Sequence, residues 1–79
     1  MKTTYDKNVD AAYIYILDKI EPGSAKKTYL CDPLEIGGMI NLDFDKDGKL
    51  LGVEILDASK FLPQSVLEKA DKPPIRRAQ

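Results

Sequence analysis

Histidine and tryptophan are absent from these 79 residues, and cysteine occurs once, at Cys31. Without histidine, the side chain that titrates near neutral pH is missing. Acid–base chemistry would then need a carboxylate held protonated, a lysine held neutral or a bound metal. The usual zinc sets cannot be assembled, and one cysteine excludes an intrachain disulfide. Cys31 also lacks an imidazole to activate it and reads as a small strand-end residue. No apolar run approaches the roughly 20 residues of a membrane span, and Met1-Lys2-Thr3-Thr4 does not lead into the apolar core of a signal peptide. A cytoplasmic protein without membrane contact is the expectation.

Charge of one sign is missing too. Twelve basic and thirteen acidic residues leave a formal charge of −1, which offers no bulk attraction to nucleic acid or an anionic membrane. Lys26-Lys27 and Arg76-Arg77 are the only paired basic residues. Two short pairs with no accompanying reading helix make a weak phosphate footprint, so nucleic acid is not favoured as a partner. A chain of this length has room for one domain with a modest core, and oligomerisation would support it.

The densest chemistry present is Asn41-Leu-Asp43-Phe-Asp45-Lys-Asp47-Gly48, followed by Gly52-Val-Glu54. Asp43, Asp45, Asp47, Gly48 and Glu54 satisfy the spacing of an EF-hand calcium loop, yet periodicity makes the same stretch a β-hairpin. Ile40, Leu42 and Phe44 alternate with Asn41, Asp43 and Asp45, and Leu51, Val53 and Ile55 resume the rhythm after the turn. An EF-hand needs flanking helices, whereas Gly37-Gly38 precedes this loop and a β-branched run follows it. With the turn centred on Lys46 and Asp47 and Asp45 opposite Gly48, Leu42 faces Leu51 and Ile40 faces Val53. That register puts Glu54 roughly 13 Å along the ladder from Asp43, at about 3.3 Å per residue. One calcium ion cannot hold both, so the acidic residues read as solvating a turn, with Gly48 left-handed.

Elsewhere, Lys2 to Asp6 reads as a first strand, and Ala12, Ile14 and Ile16 alternate with Tyr13, Tyr15 and Leu17 in a second. A third strand runs from about Ala25 to Cys31, and Pro33 ends it. After Ile55, Asp57 is placed to cap a helical turn from Ala58 to Leu62, and Pro63 suits the first turn of a helix from Gln64 to Lys69. The expected fold is α+β: an antiparallel β-meander of four to five strands with a C-terminal helical segment on one face. Ala12, Ile14, Ile16, Ile40, Leu42, Phe44, Leu51, Val53 and Ile55 would lie beneath that segment. Residues 1–71 form the domain, and residues 72–79, proline-rich and aperiodic, a flexible or loosely held tail.

Tyr5-Asp6, Asp10-Ala11-Ala12-Tyr13-Ile14, and above all Ile40 to Glu54 with the following Ile-Leu56-Asp57-Ala58-Ser59 resemble the small prokaryotic proteins of domain of unknown function 2283. The resemblance covers nearly the whole chain. It implies no established activity and no catalytic residues; an antitoxin-like partnership with a small toxin is the role it suggests by analogy, and family alone does not establish function.

Two classes of function remain on the residues themselves. The sheet face away from the helix would carry Tyr13, Tyr15, Leu17, Leu50 and Leu56 among Asn41, Asp43 and Glu54, a mixture of aromatic anchors and polar groups of the kind found at interfaces. Face-to-face pairing of two copies would make a homodimer, and a small partner protein could use the same surface. The competing reading is that tyrosine, with its high β propensity, shades a solvated sheet or is covered by the C-terminal segment folding back. The other class is a small enzyme or a weak metal site using Asp43 and Asp45, or Asp45 and Asp47. These carboxylates flank a turn open to water, where nothing desolvates them. A non-catalytic interaction or assembly module without a cofactor is the favoured expectation.

Overall fold

The computed structural model describes residues 1–74; Arg76-Arg77 and the rest of the expected tail beyond Pro74 lie outside the described residues. Five strands form, β1 (Lys2–Asp6), β2 (Ala11–Tyr15), β3 (Lys27–Leu30), β4 (Ile40–Phe44) and β5 (Leu50–Leu56). Three short helices accompany them, α1 (Pro33–Ile36), α2 (Ala58–Phe61) and α3 (Gln64–Lys69). The protein is an α+β fold. The element not foreseen is α1, where Pro33 opens a helical turn rather than only ending a strand. Asp32 caps that turn, its Oδ1 accepting the Leu34 N–H at 3.0 Å.

All neighbouring strands are antiparallel, in the order β1-β2-β5-β4-β3. The meander therefore runs through β3, β4 and β5, and the β1–β2 hairpin joins it by pairing β2 with β5 rather than with β3. As the central strand, β5 has neighbours on both sides, and it holds three of the most shielded positions, Leu51, Gly52 and Ile55.

The β4–β5 register differs from the one that alternation predicts. The turn is centred on Lys46 and Asp47, with the Gly48 N–H donating to the Asp45 carbonyl at 3.0 Å, but the Asp45 N–H donates to the Lys49 carbonyl. Gly48, at φ 79°, is the extra residue of a three-residue hairpin loop. A second irregularity between Asp43 and Phe44 adds Leu51, so that Asp43 faces Gly52, Leu42 faces Val53 and Ile40 faces Ile55. Two single-residue slips sum to two, which returns every side chain before the bulge to its expected face. Glu54 now lies two residues, not four, from the position opposite Asp43. The 13 Å objection to calcium fails with its register; the objection that stands is that both flanks of the loop are strands.

One face of the sheet packs under α2 and α3. Ala12, Ile55, Ala58 and Leu67 are buried together, with Tyr5, Ile14, Ile40, Val53, Phe61 and Leu62 packed around them. Ala58 is wholly buried; with no side chain beyond Cβ at Ala12 or Ala58, α2 sits close against the sheet. The predicted Asp57 cap is not made. Asp57 takes a left-handed conformation and its side chain makes no capping bond. The start of α2 is held instead by Asp10, whose carbonyl accepts the Ala58 N–H at 2.9 Å and whose Oδ1 accepts the Ser59 N–H at 3.0 Å.

The two outer edges of the sheet differ. Along β1, Asp71 returns to bridge the chain, with the Tyr5 N–H donating to the Asp71 carbonyl at 2.8 Å and the Asp71 N–H to the Thr3 carbonyl at 2.9 Å. Among the described residues, no strand lies outside β3.

Candidate functional site

On the face turned away from α2 and α3, register aligns Thr4, Tyr13, Glu54 and Asn41 in one cross-strand row. A second row runs Lys2, Tyr15, Gly52, Asp43 and Thr28. Side chains reach across these rows. The Tyr13 hydroxyl donates to Asp43 Oδ2 at 2.7 Å, and Thr28 Oγ1 donates to Asp43 Oδ1 at 2.8 Å. Tyr13 thus crosses β5 diagonally to reach β4, and it can do so only because Gly52 lies beneath. A Cβ on Gly52 would overlap the Tyr13 ring. In the other row, Asn41 Nδ2 donates to Glu54 Oε1 at 2.9 Å, which fixes the amide orientation and leaves Asn41 Oδ1 shielded without a protein partner.

Burial first, and then the hydrogen bond and negative charge of Asp43, raise the Tyr13 phenol well above its ordinary value of 10.0. Desolvation and a nearby anion both disfavour the phenolate, so Tyr13 is a hydrogen-bond donor, not a proton-transfer group, near neutral pH. Tyr15 packs edge-on against it with ring centroids 4.7 Å apart, and the Lys2 ammonium lies 5.3 Å from the Tyr15 ring centre.

The predicted contact residues are only partly brought together. Tyr13 and Tyr15 touch, and Leu56 stands opposite Ala11 at the far end of β5. Leu50 lies beyond the bulge, opposite Phe44, and so leaves the row of Gly52, Glu54 and Leu56. Leu17 follows the end of β2 and is 57% exposed. The described start of the tail does approach this face, since Pro73 and Pro74 border an open groove with Thr4, Asp6, Ala11, Tyr13 and Glu54.

Two of the three carboxylates weighed for metal binding, Asp43 and Asp45, already accept hydrogen bonds. Asp45 Oδ1 accepts the N–H groups of Asp47 at 2.8 Å and Lys49 at 2.9 Å, which is how this short loop satisfies its backbone. Asp43 is occupied by Tyr13 and Thr28. Among the described residues, no group of three or more His, Cys, Asp or Glu is placed to hold a metal ion. No described helix is long and apolar enough to cross a membrane.

A second polar cluster escaped the sequence reading. Asp10, at φ 53°, accepts Ser59 Oγ at 2.7 Å and the Tyr5 hydroxyl at 2.7 Å, besides the two backbone groups of α2. Its carboxyl is held below the ordinary value, chiefly by the Ser59 hydroxyl and then by Tyr5. Asp10 and Ser59 are 49 residues apart in the chain, so no local spacing could pair them. Gly52 did leave a legible trace, because an isolated glycine inside a strand pattern marks a bulge or a close approach.

Comparison with curated proteins and with solved structures returns no match. Two of the segments that carry the family resemblance, Asp10 to Ile14 and the block from Ile40 to Ser59, meet where Asp10 bonds Ser59. A family model matches residues 2–59 of the 79, from β1 into α2, and the chain belongs to the family it describes, "Protein of unknown function (DUF2283)".

Proposed function

We propose that the protein is a non-catalytic protein-interaction or assembly module, with the sheet face turned away from α2 and α3 as its contact surface. The observation that carries this reading is the division of the sheet: helices cover one face, and the other displays the edge-on Tyr13–Tyr15 pair among polar side chains already oriented by hydrogen bonds. Fixed aromatic and polar groups lose little conformational freedom on binding, which favours them as anchors. Tyr13 suits such a role, since a phenol raised by burial and hydrogen-bonded to Asp43 stays protonated and fixed in place at neutral pH. The partner is a second copy of the chain or another small protein, and the setting is the cytoplasm.

The test is a pull-down of the tagged protein from the cells that encode it, with stoichiometry by mass spectrometry, repeated with Tyr13→Ala plus Tyr15→Ala. Thermal melting of the variant checks that it remains folded. A protein recovered near one-to-one by the wild type and lost by a folded variant supports the reading. If that protein is toxic when expressed alone and rescued by this chain, the partnership is of the antitoxin kind. Unchanged recovery by the folded variant overturns the assigned surface.

A further inference from the structure

The two edges of the sheet are treated unequally, and the difference is informative. An edge strand presents unpaired N–H and C=O groups to any strand that can reach them. At β1 the Tyr5 N–H and the Thr3 carbonyl are met by Asp71; at β3 no strand follows among the described residues. The Cys31 N–H donates inward to the Ile40 carbonyl at 2.9 Å, and antiparallel alternation then turns the N–H and C=O of Thr28 and Leu30 outward. All four residues of β3 are exposed. Large apolar side chains collect around this edge: Tyr29 is 58% exposed, Leu30 55% and, just beyond the strand, Leu34 94%.

Charge is polarised along the same edge. Lys26 and Lys27 stand at its start, and Asp32 and Glu35 at its end, all four exposed. A second copy running parallel would set like charges together, whereas an antiparallel copy sets lysines against acids at both ends. Lysines on an edge normally guard against indiscriminate pairing. Here the acids at the opposite end make one arrangement acceptable.

We propose that two copies of this chain pair through their β3 edges, antiparallel about a two-fold axis at Tyr29, joining two five-stranded sheets into one. In this register Tyr29 faces its own counterpart and Thr28 faces Leu30. The outward groups of Thr28 and Leu30 bond each other, twice by symmetry, and Lys27 faces Cys31. Centring on Thr28 or on Leu30 instead would set Leu30 against Lys26, whose N–H donates inward to the Phe44 carbonyl, or Thr28 against Asp32, whose carbonyl accepts from Glu35 and Ile36, and would forgo the charge match. The pairing extends a sheet whose own core, among the described residues, has no large side chain fully buried. The proposal rests on the assembly reading above but on a different surface, and it leaves the tyrosine face free.

The first experiment is light scattering over a concentration series, on the wild type, on Leu30→Pro and on Tyr13→Ala plus Tyr15→Ala. Leu30→Pro removes a donor that points to solvent in the single chain, a position where an edge strand tolerates proline. The wild type is expected to be a dimer, with dissociation about thirtyfold easier in Leu30→Pro, as two lost hydrogen bonds imply, and unchanged in the tyrosine variant. The second experiment is independent of proline's effect on folding. In Cys31→Ser plus Tyr29→Cys, facing non-hydrogen-bonded residues lie about 4.5 Å apart between Cα atoms, within disulfide range, so mild oxidation should give a linked dimer. In Cys31→Ser plus Lys27→Cys the two cysteines lie roughly 13 Å apart and should not link. A wild type that stays monomeric at high concentration overturns the proposal. So does a dimer that the tyrosine variant dissolves while Tyr29→Cys fails to link, an outcome that would leave the open face standing as the contact surface.

Discussion

The two faces of the same sheet use the same strands for opposite ends. On the helical face, β2 and β5 contribute Ala12 and Ile55, which meet Ala58 and Leu67 in a small apolar cluster. One residue along, the same strands present Tyr13 and Glu54 to a network of hydrogen bonds. The apolar face gains from exclusion of water and requires only shape. The polar face gains little net energy from each bond but requires particular partners. Stability should therefore be concentrated on one face and specificity on the other.

The largest blow to this division falls on the apolar side. Leu67→Ala removes the buried side chain of α3 and is expected to cost about 2–4 kcal/mol in denaturant unfolding, a large part of the total for so small a domain. If the cost were a few tenths, α3 would not be part of the core.

On the polar side, Gly52→Ala is expected to cost about 1–3 kcal/mol, because the new methyl group must displace the Tyr13 ring. Most of that cost should vanish when Gly52→Ala is made in a Tyr13→Ala background. Additive costs would show that the glycine is required by the bulge and not by the tyrosine.

Tyr13→Phe removes one hydrogen bond and leaves the packing, so about 1 kcal/mol is expected from calorimetry or denaturant unfolding. The sign of the alkaline effect follows from the raised pKa of Tyr13. Its stabilisation is complete below the ordinary phenol range, and it is lost as pH rises from that range towards the folded value, because the unfolded chain ionises first. Asp43→Asn should bring the ionisation of Tyr13 downward in an absorbance titration.

The smallest effect concerns the link between hairpin and helix. Asp10 is lowered, so its contribution is present above the ordinary carboxylate range and is lost as pH falls through its folded value. Asp10→Asn should flatten the acid limb of the stability profile as pH falls below the ordinary carboxylate range. An unaltered acid limb would show that the Ser59 and Tyr5 bonds do not favour the ionised form.

Much of the fold was legible because strand alternation is a local signal. β1 (Lys2–Asp6) and α3 (Gln64–Lys69) were read with their observed bounds, and the apolar set of β2, β4 and β5 lies on the face that alternation assigned. The register of β4 against β5 was not legible, since Gly48 and Leu51 each add one residue through backbone geometry that no hydrophobic pattern records. The face assignment held only because the two slips cancel in parity. Of the open face, Tyr13, Tyr15 and Leu56 were legible as outward positions, but the bond from Tyr13 to Asp43 was not, because it depends on the corrected register bringing Gly52 between them.

Composition and alternation in the chain alone determined the class of the molecule: an antiparallel sheet with one apolar face, short C-terminal helices, and no histidine for neutral-pH chemistry. Tertiary structure decided strand order, the Asp10 cap on α2, the Tyr13–Asp43–Thr28 network and the contrast between a closed and an open sheet edge. Each of these joins residues distant in sequence. Whether such groups meet depends on how whole strands are placed, and short-range periodicity carries no term for that.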